Sequence, residues 1–278
     1  MRIRATVAAL TGTLALSALV VPAAQAADGP SSTPRLAAKA EQAVPGANEG
    51  DTEITKVTVN GGKDIVVGTT NKVTFSVAVT ATDPEGIAAG SAFLYHGGSV
   101  DTADGVLAPD DFDGKCTVVN ATTSTCTVTV VADPKTDLYN GLAGSGWKVY
   151  AVAGANDEDS ATNEAYKSDA NVQRYARLTT NASPEPVKKG KTLTVTGALT
   201  RANWDTSKYA GYTQQPVKLQ YKKKGAASYS TLKTITSDSK GNLKTTVKAS
   251  ADGYFRYVFA GTSTTPAVTS TSDFVDVN

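Results

Sequence analysis

The chain has 278 residues, 40% apolar and 19% charged, which suits a globular chain of two domains of about 100–150 residues each and argues against a membrane-embedded or wholly disordered one. Its formal charge of +1 conceals a split: residues 27–175 carry 10 Lys+Arg against 20 Asp+Glu, net −10, and residues 176–278 carry 15 against 6, net +9, with Arg2 and Arg4 closing the sum. One His and two Cys exclude most metal-hydrolase, zinc-finger and cysteine-enzyme schemes.

Met1-Arg2-Ile3-Arg4 is a short basic start to a small, apolar run from Ala5 to Val21. Pro22 and Ala24-Gln25-Ala26 follow, the small-residue pattern of an export signal cleaved after residue 26. The rival reading, an uncleaved membrane anchor, meets a run that is short for a span of about 20 residues. No Cys offers a lipid anchor after the cleavage site. Asp273–Asn278 has neither an apolar tail nor a basic stop, so a secreted, extracellular product free of the membrane is expected. Residues 27–51, rich in Ala, Pro, Gly and charge, read as a flexible leader.

From Glu53 onward the apolar period is two. Val73, Phe75, Val77, Val79 and Ala81 alternate with Thr74, Ser76, Ala78, Thr80 and Thr82. Further strands are expected at Ile54–Val59, Asp64–Val67, Ala92–Tyr95, Trp147–Ala153 and Asn171–Tyr175, separated by Asn60-Gly61-Gly62, Asp83-Pro84-Glu85-Gly86, Asp113-Gly114 and Asn140-Gly141. Nine residues separate Cys116 from Cys126, both in strand-like sequence. An even count in an exported chain predicts a disulfide that pins a hairpin, with two free buried thiols as the alternative.

Residues 176–278 continue the pattern through Leu193 and Val195, Val217-x-Leu219-x-Tyr221, Leu243-x-Thr245-x-Val247 and Phe255-x-Tyr257-x-Phe259. About seven strands in roughly 100 residues is the scale of an immunoglobulin-like domain. Arg201–Gln215 reads as a long irregular insertion in which Trp204, Tyr209 and Tyr212 either form a sugar-stacking platform or fold the loop onto its own sheet. The stretch Gln173–Pro186 has no Gly/Ser run, so a short, stiff connection is expected. The fold class is all-β: two immunoglobulin-like antiparallel β-sandwiches in tandem after a signal peptide, an acidic one at 52–175 and a basic one at 176–278.

Asn181-Ala182-Ser183-Pro184-Glu185-Pro186-Val187-Lys188-Lys189-Gly190-Lys191, leading into Leu193-Thr194-Val195-Thr196-Gly197, resembles the opening of modules in secreted actinobacterial proteins of the Streptomyces type with tandem immunoglobulin-like domains. Asp252-Gly253-Tyr254-Phe255-Arg256-Tyr257 resembles their closing motif. The first domain is similar more loosely, through Thr82-Asp83-Pro84-Glu85-Gly86 and Gly146-Trp147-Lys148-Val149. Such proteins are often labelled hypothetical or calcium-binding, and the resemblance implies no catalytic residues. Phe255 and Tyr257 stand where antibody-type domains place the corner tyrosine and core cysteine, so an aromatic core is expected instead.

Three features carry candidate chemistry. If Val73–Ala81 and Trp147–Ala153 are central strands, the loops after them emerge at one pole. Asp83 and Glu85 then converge with Asn156, Asp157 and Asp159 as oxygen ligands for Ca²⁺, the one cofactor the sequence points to. Solvated loop acids are the other reading, and Asp101, Asp104, Asp110, Asp111 and Asp113 form a further acidic stretch without EF-hand spacing. Lys188, Lys189, Lys222, Lys223 and Lys224 head a basic set suited to a cell-wall polyanion or polysaccharide, though lysines on outer strand positions also block sheet-to-sheet aggregation. No base-reading motif accompanies them, so no specific nucleic acid is expected. The opposite charges of the two domains allow docking within a molecule or self-association between molecules. His96, the sole imidazole, has no nucleophile beside it, and no catalytic residue is assigned. The reading is a secreted, non-enzymatic binding or structural protein of the cell envelope or medium, binding calcium weakly. The alternative is a polyanion or cell-wall carbohydrate module acting through its second domain.

Overall fold

Alternation at period two puts one row of side chains in the interior and the next in solvent, and that pattern organises the whole described chain. The computed structural model describes Asn48 and residues 50–278. The expected signal peptide (1–26) and nearly all of the expected leader (27–51) lie outside the described residues. Among the described residues, no helix is long and apolar enough to cross a membrane.

The first sandwich contains β1 (Glu53–Val59), β2 (Ile65–Val67), β3 (Val73–Thr82), β4 (Ile87–His96), β5 (Gly105–Leu107), β6 (Lys115–Asn120), β7 (Thr123–Ala132), β8 (Trp147–Ala155), β9 (Ser160–Lys167) and β10 (Val172–Arg174). One antiparallel sheet runs β1-β3-β7-β6 and the other β5-β4-β8-β9. In the order of an immunoglobulin domain these are strands A-B-E-D facing C′-C-F-G. β2 and β10 add a short parallel pair, Ile65 opposite Val172. Phe75, Val77 and Val79 of β3, Val128 and Val130 of β7, and Leu94, Val149 and Ala151 of the facing sheet fill the core. Full burial of each valine, leucine or phenylalanine is worth about 1.5–3 kcal/mol. Cys116 and Cys126 sit directly opposite each other on β6 and β7 and are joined, so the disulfide fastens this edge hairpin in register.

The second sandwich contains β11 (Ala176–Leu178), β12 (Asn181–Ser183), β13 (Thr192–Asn203), β14 (Lys208–Gly211), β15 (Pro216–Lys223), β16 (Ser230–Thr236), β17 (Asn242–Lys248), β18 (Gly253–Phe259), β19 (Val268–Thr269) and β20 (Asp273–Val275). β12 and β17 flank the first part of the long β13, while β11 and β14 pair with its last part. The facing sheet runs β16-β15-β18, with β19 and β20 along the far side of β18. The expected aromatic core is present: Phe255, Tyr257 and Phe259 are buried against Leu193, Val195, Val217 and Leu219. The Tyr257 hydroxyl donates to the Val195 carbonyl at 3.0 Å, tying one sheet to the other. Burial raises its pKa far above the ordinary phenol range.

One reading fails here. Arg201–Gln215 is not an irregular insertion but the tip of a hairpin, β13 turning into β14. Trp204 at that tip is 3% exposed and belongs to the core of the first sandwich, with Ala202 beside it. Its indole N–H donates to the Gly68 carbonyl at 3.0 Å. Tyr209 is covered by the Arg177 guanidinium at 3.5 Å and Tyr212 by Arg201 at 3.8 Å. With Trp204 buried and both tyrosines capped, the three rings present no stacking platform. A bulky apolar residue flanked by Asn203 and Asp205 reads as loop in sequence because the core it enters is built, Ala202 apart, from residues 57–172, all more than 30 positions upstream.

The stretch Gln173–Pro186, expected as a short connection, contains β11 and β12. Only Tyr175 separates β10 from β11, and its backbone N–H donates to Val67 O while its carbonyl accepts from Ala202 N. Arg174 donates through Nε to Ala202 O, and Gln173 donates to the Thr262 and Ser263 carbonyls. Burial, then the neighbouring Arg201, pushes the Arg174 guanidinium down to about 10. The contact between sandwiches is thus built from aromatic packing and hydrogen bonds, with Arg174 also near Asp205.

Candidate functional site

β3 runs antiparallel to β7 and β8 antiparallel to β4, and the Asn156 N–H donates to Gly86 O, so the turns that follow β3 and β8 meet at the same end. That end is the one remote from the second sandwich, since residues 140–146 and 172–175 at the other end make the junction. Asp83 follows β3 directly and is 1% exposed. Its Oδ1 accepts from Glu85 N at 2.9 Å and its Oδ2 from the Thr52 hydroxyl at 2.7 Å, while its own N–H donates to Thr122 O. Gly86 closes this turn at φ +84, where a Cβ would lie 2.9 Å from Ala121 O and 3.1 Å from Asn156 Nδ2. Only glycine fits both the backbone and the space.

The β8–β9 turn, Asn156–Asp159, docks onto that loop. Asn156 donates from its backbone to Gly86 O at 3.0 Å and from its side chain to Glu85 O at 2.7 Å. Asp51, just before β1, donates its N–H to Asp159 Oδ2 at 3.1 Å. One carboxylate oxygen from each of Asp51, Asp83 and Glu85 lies within 4.8 Å of the others, and the same holds for Asp83, Asp157 and Asp159. Ligands held about 2.4 Å from a cation are at most about 4.8 Å apart, so these sets have the spacing a hard divalent ion requires. Partial desolvation, then the neighbouring carboxylates Asp157, Asp83 and Asp51, pushes the Glu85 carboxyl above its ordinary range. The Asp51 carboxyl is raised in the same way, by desolvation and then Asp83, Asp159 and Asp157. Among the described residues no lysine or arginine forms an ion pair with any of the five acids.

The expected residues Asp83, Glu85, Asp157 and Asp159 are therefore brought together. Asn156 is in place as well, with its amide nitrogen committed to holding the Glu85 loop. Asp51 escaped the sequence reading because it sits at the end of a leader-like stretch. The available signal was its place two residues before Glu53, which pairs with Thr82, the neighbour of Asp83. Asp101, Asp104, Asp110, Asp111 and Asp113 do not join the cluster. Asp111 caps the Asp113 N–H, and Asp104 accepts from Tyr139 at 2.8 Å and lies 2.6 Å from His96 Nδ1. Burial favours the neutral Asp104 carboxyl, yet the His96 and Tyr139 hydrogen bonds prevail and hold it below its ordinary range. His96 packs edge-on against Trp147, so the lone imidazole clasps the end of β4.

The lysine set divides. Lys188 and Lys189 lie between β12 and β13, where Lys189 N donates to Asn278 O. Lys222 is on the outward face of β15, its ammonium 5.2 Å from the Tyr229 ring centre and 5.3 Å from that of Tyr254. Lys223 ends that strand and Lys224 follows it, lying 3.5 Å from Asp252 and 5.5 Å from the centre of the Phe274 ring. Arg256 lies 3.7 Å over Tyr229. Tyr229 and Phe274 were not singled out in the sequence, since neither sits in a recognisable motif.

No family model matches the chain, and no curated protein matches it. Among solved structures it is similar to latent PorU from Porphyromonas gingivalis (11% identity over 81% of this chain, TM-score 0.29), a marsupial T cell receptor (13% over 80%, TM-score 0.40) and fibronectin(III)-like modules of CbhA from Clostridium thermocellum (12% over 80%, TM-score 0.32). The matches cover 20%, 72% and 93% of those chains, so this chain spans about a fifth of PorU. The strand order and facing sheets, rather than these likenesses, establish two immunoglobulin-like sandwiches in tandem.

Proposed function

We propose that this chain is a secreted, non-enzymatic binding or structural protein of the cell envelope or medium, with a calcium site at the free end of its first sandwich. The observation that carries the reading is the gathering of Asp51, Asp83, Glu85, Asp157 and Asp159, from three separate segments, without a basic partner among the described residues. A buried carboxylate such as Asp83 is costly unless paired or ligating. Its present partners are neutral donors, and a divalent cation supplies the missing charge. Extracellular calcium modules work at about 10⁻⁴–10⁻³ M, which suits loops rather than a rigid cage. Bound calcium ties the segment before β1 to the β3–β4 and β8–β9 turns, stiffening this end. The disulfide fits an oxidising compartment, and the non-enzymatic reading follows from the absence of any motif that pairs a nucleophile with a base in the sequence.

The test is a thermal melt during calcium titration. At ten times Kd the ion adds about 1.4 kcal/mol, a rise of roughly 3–5 °C for a protein this size. Asp157→Asn, on an exposed turn, is expected to abolish the rise without disturbing the fold, and Asp83→Asn to abolish it with some loss of basal stability. No rise in the wild type at 10 mM calcium, or an unchanged rise in Asp157→Asn, overturns the site.

A further inference from the structure

We propose that the outward face of the β15-β18-β20 sheet in the second sandwich binds an acidic polysaccharide, a polymer whose sugar rings carry carboxylates. This surface is remote from the acidic cluster and independent of calcium.

The face is built by register. Val217, Leu219 and Tyr221 of β15 and Phe255, Tyr257 and Phe259 of β18 point inward, so Lys218, Gln220, Lys222, Tyr254, Arg256 and Val258 point outward. Pairing aligns Lys222 with Tyr254 and Tyr254 with Phe274 in one row across three strands, and Gln220 with Arg256 in the next. Tyr229, from the β15–β16 connection, reaches over these rows and shares a hydrogen bond with the Ser272 hydroxyl at 2.5 Å. Three half-buried rings thus alternate with Lys222, Lys224 and Arg256. No carboxylate occupies an outward position of β15 or β18. The nearest acids are committed elsewhere: Asp273 accepts from Ala182 N at 2.6 Å, and Asp252 accepts from Val277 N at 2.9 Å and pairs with Lys224.

The arrangement selects among polyanions. Lysine and arginine heads held over aromatic rings are already positioned, which lowers the ordering cost of meeting an anion. The Tyr254 and Phe274 rings are tilted 52° to each other, and Arg256 covers one face of Tyr229. Flat nucleobases stacking in succession need open, coplanar faces, which this surface does not present. Sugar rings offer puckered C–H faces to tilted aromatics and hydroxyls to the side chains of Tyr229, Gln220 and Ser272, while their carboxylates meet the cations. The net charge of +9 over residues 176–278 adds long-range attraction for a negatively charged chain.

The experiment is affinity electrophoresis of the full chain, with EDTA present, through gels containing polygalacturonate, fully methyl-esterified polygalacturonate or a neutral glucan, with single-stranded DNA as competitor. Polygalacturonate is expected to retard the protein, and its apparent Kd to rise about tenfold between 50 and 300 mM NaCl. The esterified and neutral polymers are expected not to retard it. Lys222→Gln with Arg256→Gln is expected to weaken retention about tenfold, and Tyr254→Leu about fivefold, with Lys115→Gln in the first sandwich as an unaffected control. Should the double variant melt early, Lys218→Gln with Lys224→Gln at the margins tests the same face. Equal retention by the esterified polymer, retention unchanged in both double variants, or DNA displacing polygalacturonate at lower charge concentration would overturn the proposal, the last in favour of a nucleic acid.

Discussion

At the free end of the first sandwich acidic residues face one another, while Asp238 and Asp252 in the second are surrounded by donors. Asp51 and Glu85 have raised pKa values because desolvation and neighbouring carboxylates crowd them. Asp238 is lowered by the Lys240 and Asn242 backbone N–H groups against a smaller effect of burial, and Asp252 by the Val277 N–H, which outweighs burial with Lys224 adding to it. One fold thus supports two outcomes for loop acids: a turn whose donors meet its carboxylate lowers that group's pKa, whereas turns that bring carboxylates together raise one another's. The construction differs too. The first sandwich packs four strands on four, carries the disulfide and borrows Trp204 from its neighbour; the second joins two five-stranded sheets, one built around the long β13, with a tyrosine linking them.

Removing the borrowed side chain tests this contrast most severely. Trp204→Ala is expected to cost about 3–5 kcal/mol in chemical denaturation, with amide exchange rising in β2, β3 and β8 although the residue sits on a second-sandwich hairpin. Faster exchange confined to β15 and β18 would show that the indole serves its own sandwich instead. Cys116→Ser with Cys126→Ser is expected to lose about 2–3 kcal/mol, again read out in the first sandwich alone. Tyr257→Phe keeps the ring and deletes the inter-sheet hydrogen bond, for a loss of about 1 kcal/mol on the other side of the junction.

The electrostatic difference sharpens with pH. A raised carboxyl pKa means the folded chain holds its proton more tightly than the unfolded chain, so acidification relieves the repulsion around Glu85. A lowered pKa means the stabilisation by Asp252 is in place above the ordinary carboxylate range and is lost as pH falls through it. In calcium-free buffer, Glu85→Gln is therefore expected to melt about one or two degrees above wild type at pH 7, and Asp252→Asn a similar amount below. Both differences shrink toward pH 4. Shifts of the same sign in the two variants would erase the distinction between the sandwiches.

Much of the architecture was legible because its cause is local. β3 and β18 alternate cleanly, and turns such as Asp83-Pro84-Glu85-Gly86 announce themselves by residue type. β9 was not legible: in Ser160–Lys167 only Ala161 is buried, so an edge strand made of small and polar residues leaves no periodic trace. The convergence of Asp83 and Glu85 with Asp157 and Asp159 could be read because β3 and β8 are recognisable and their directions follow from the strand plan. Asp51 and Trp204 could not, because each acts across a distance in sequence that no local pattern encodes. The aromatic partners of Lys222 and Arg256 were hidden for a third reason: Tyr229 reaches them only after its connection folds back over the sheet.

With Tyr175 the sole residue between β10 and β11, the two sandwiches have no slack to swivel on. Anything gripped at the free tip of the first is displayed at a fixed span and bearing from anything gripped on the second, as on the two arms of a bracket. Trp204, buried in the first sandwich's core, reinforces that fixed joint from the second.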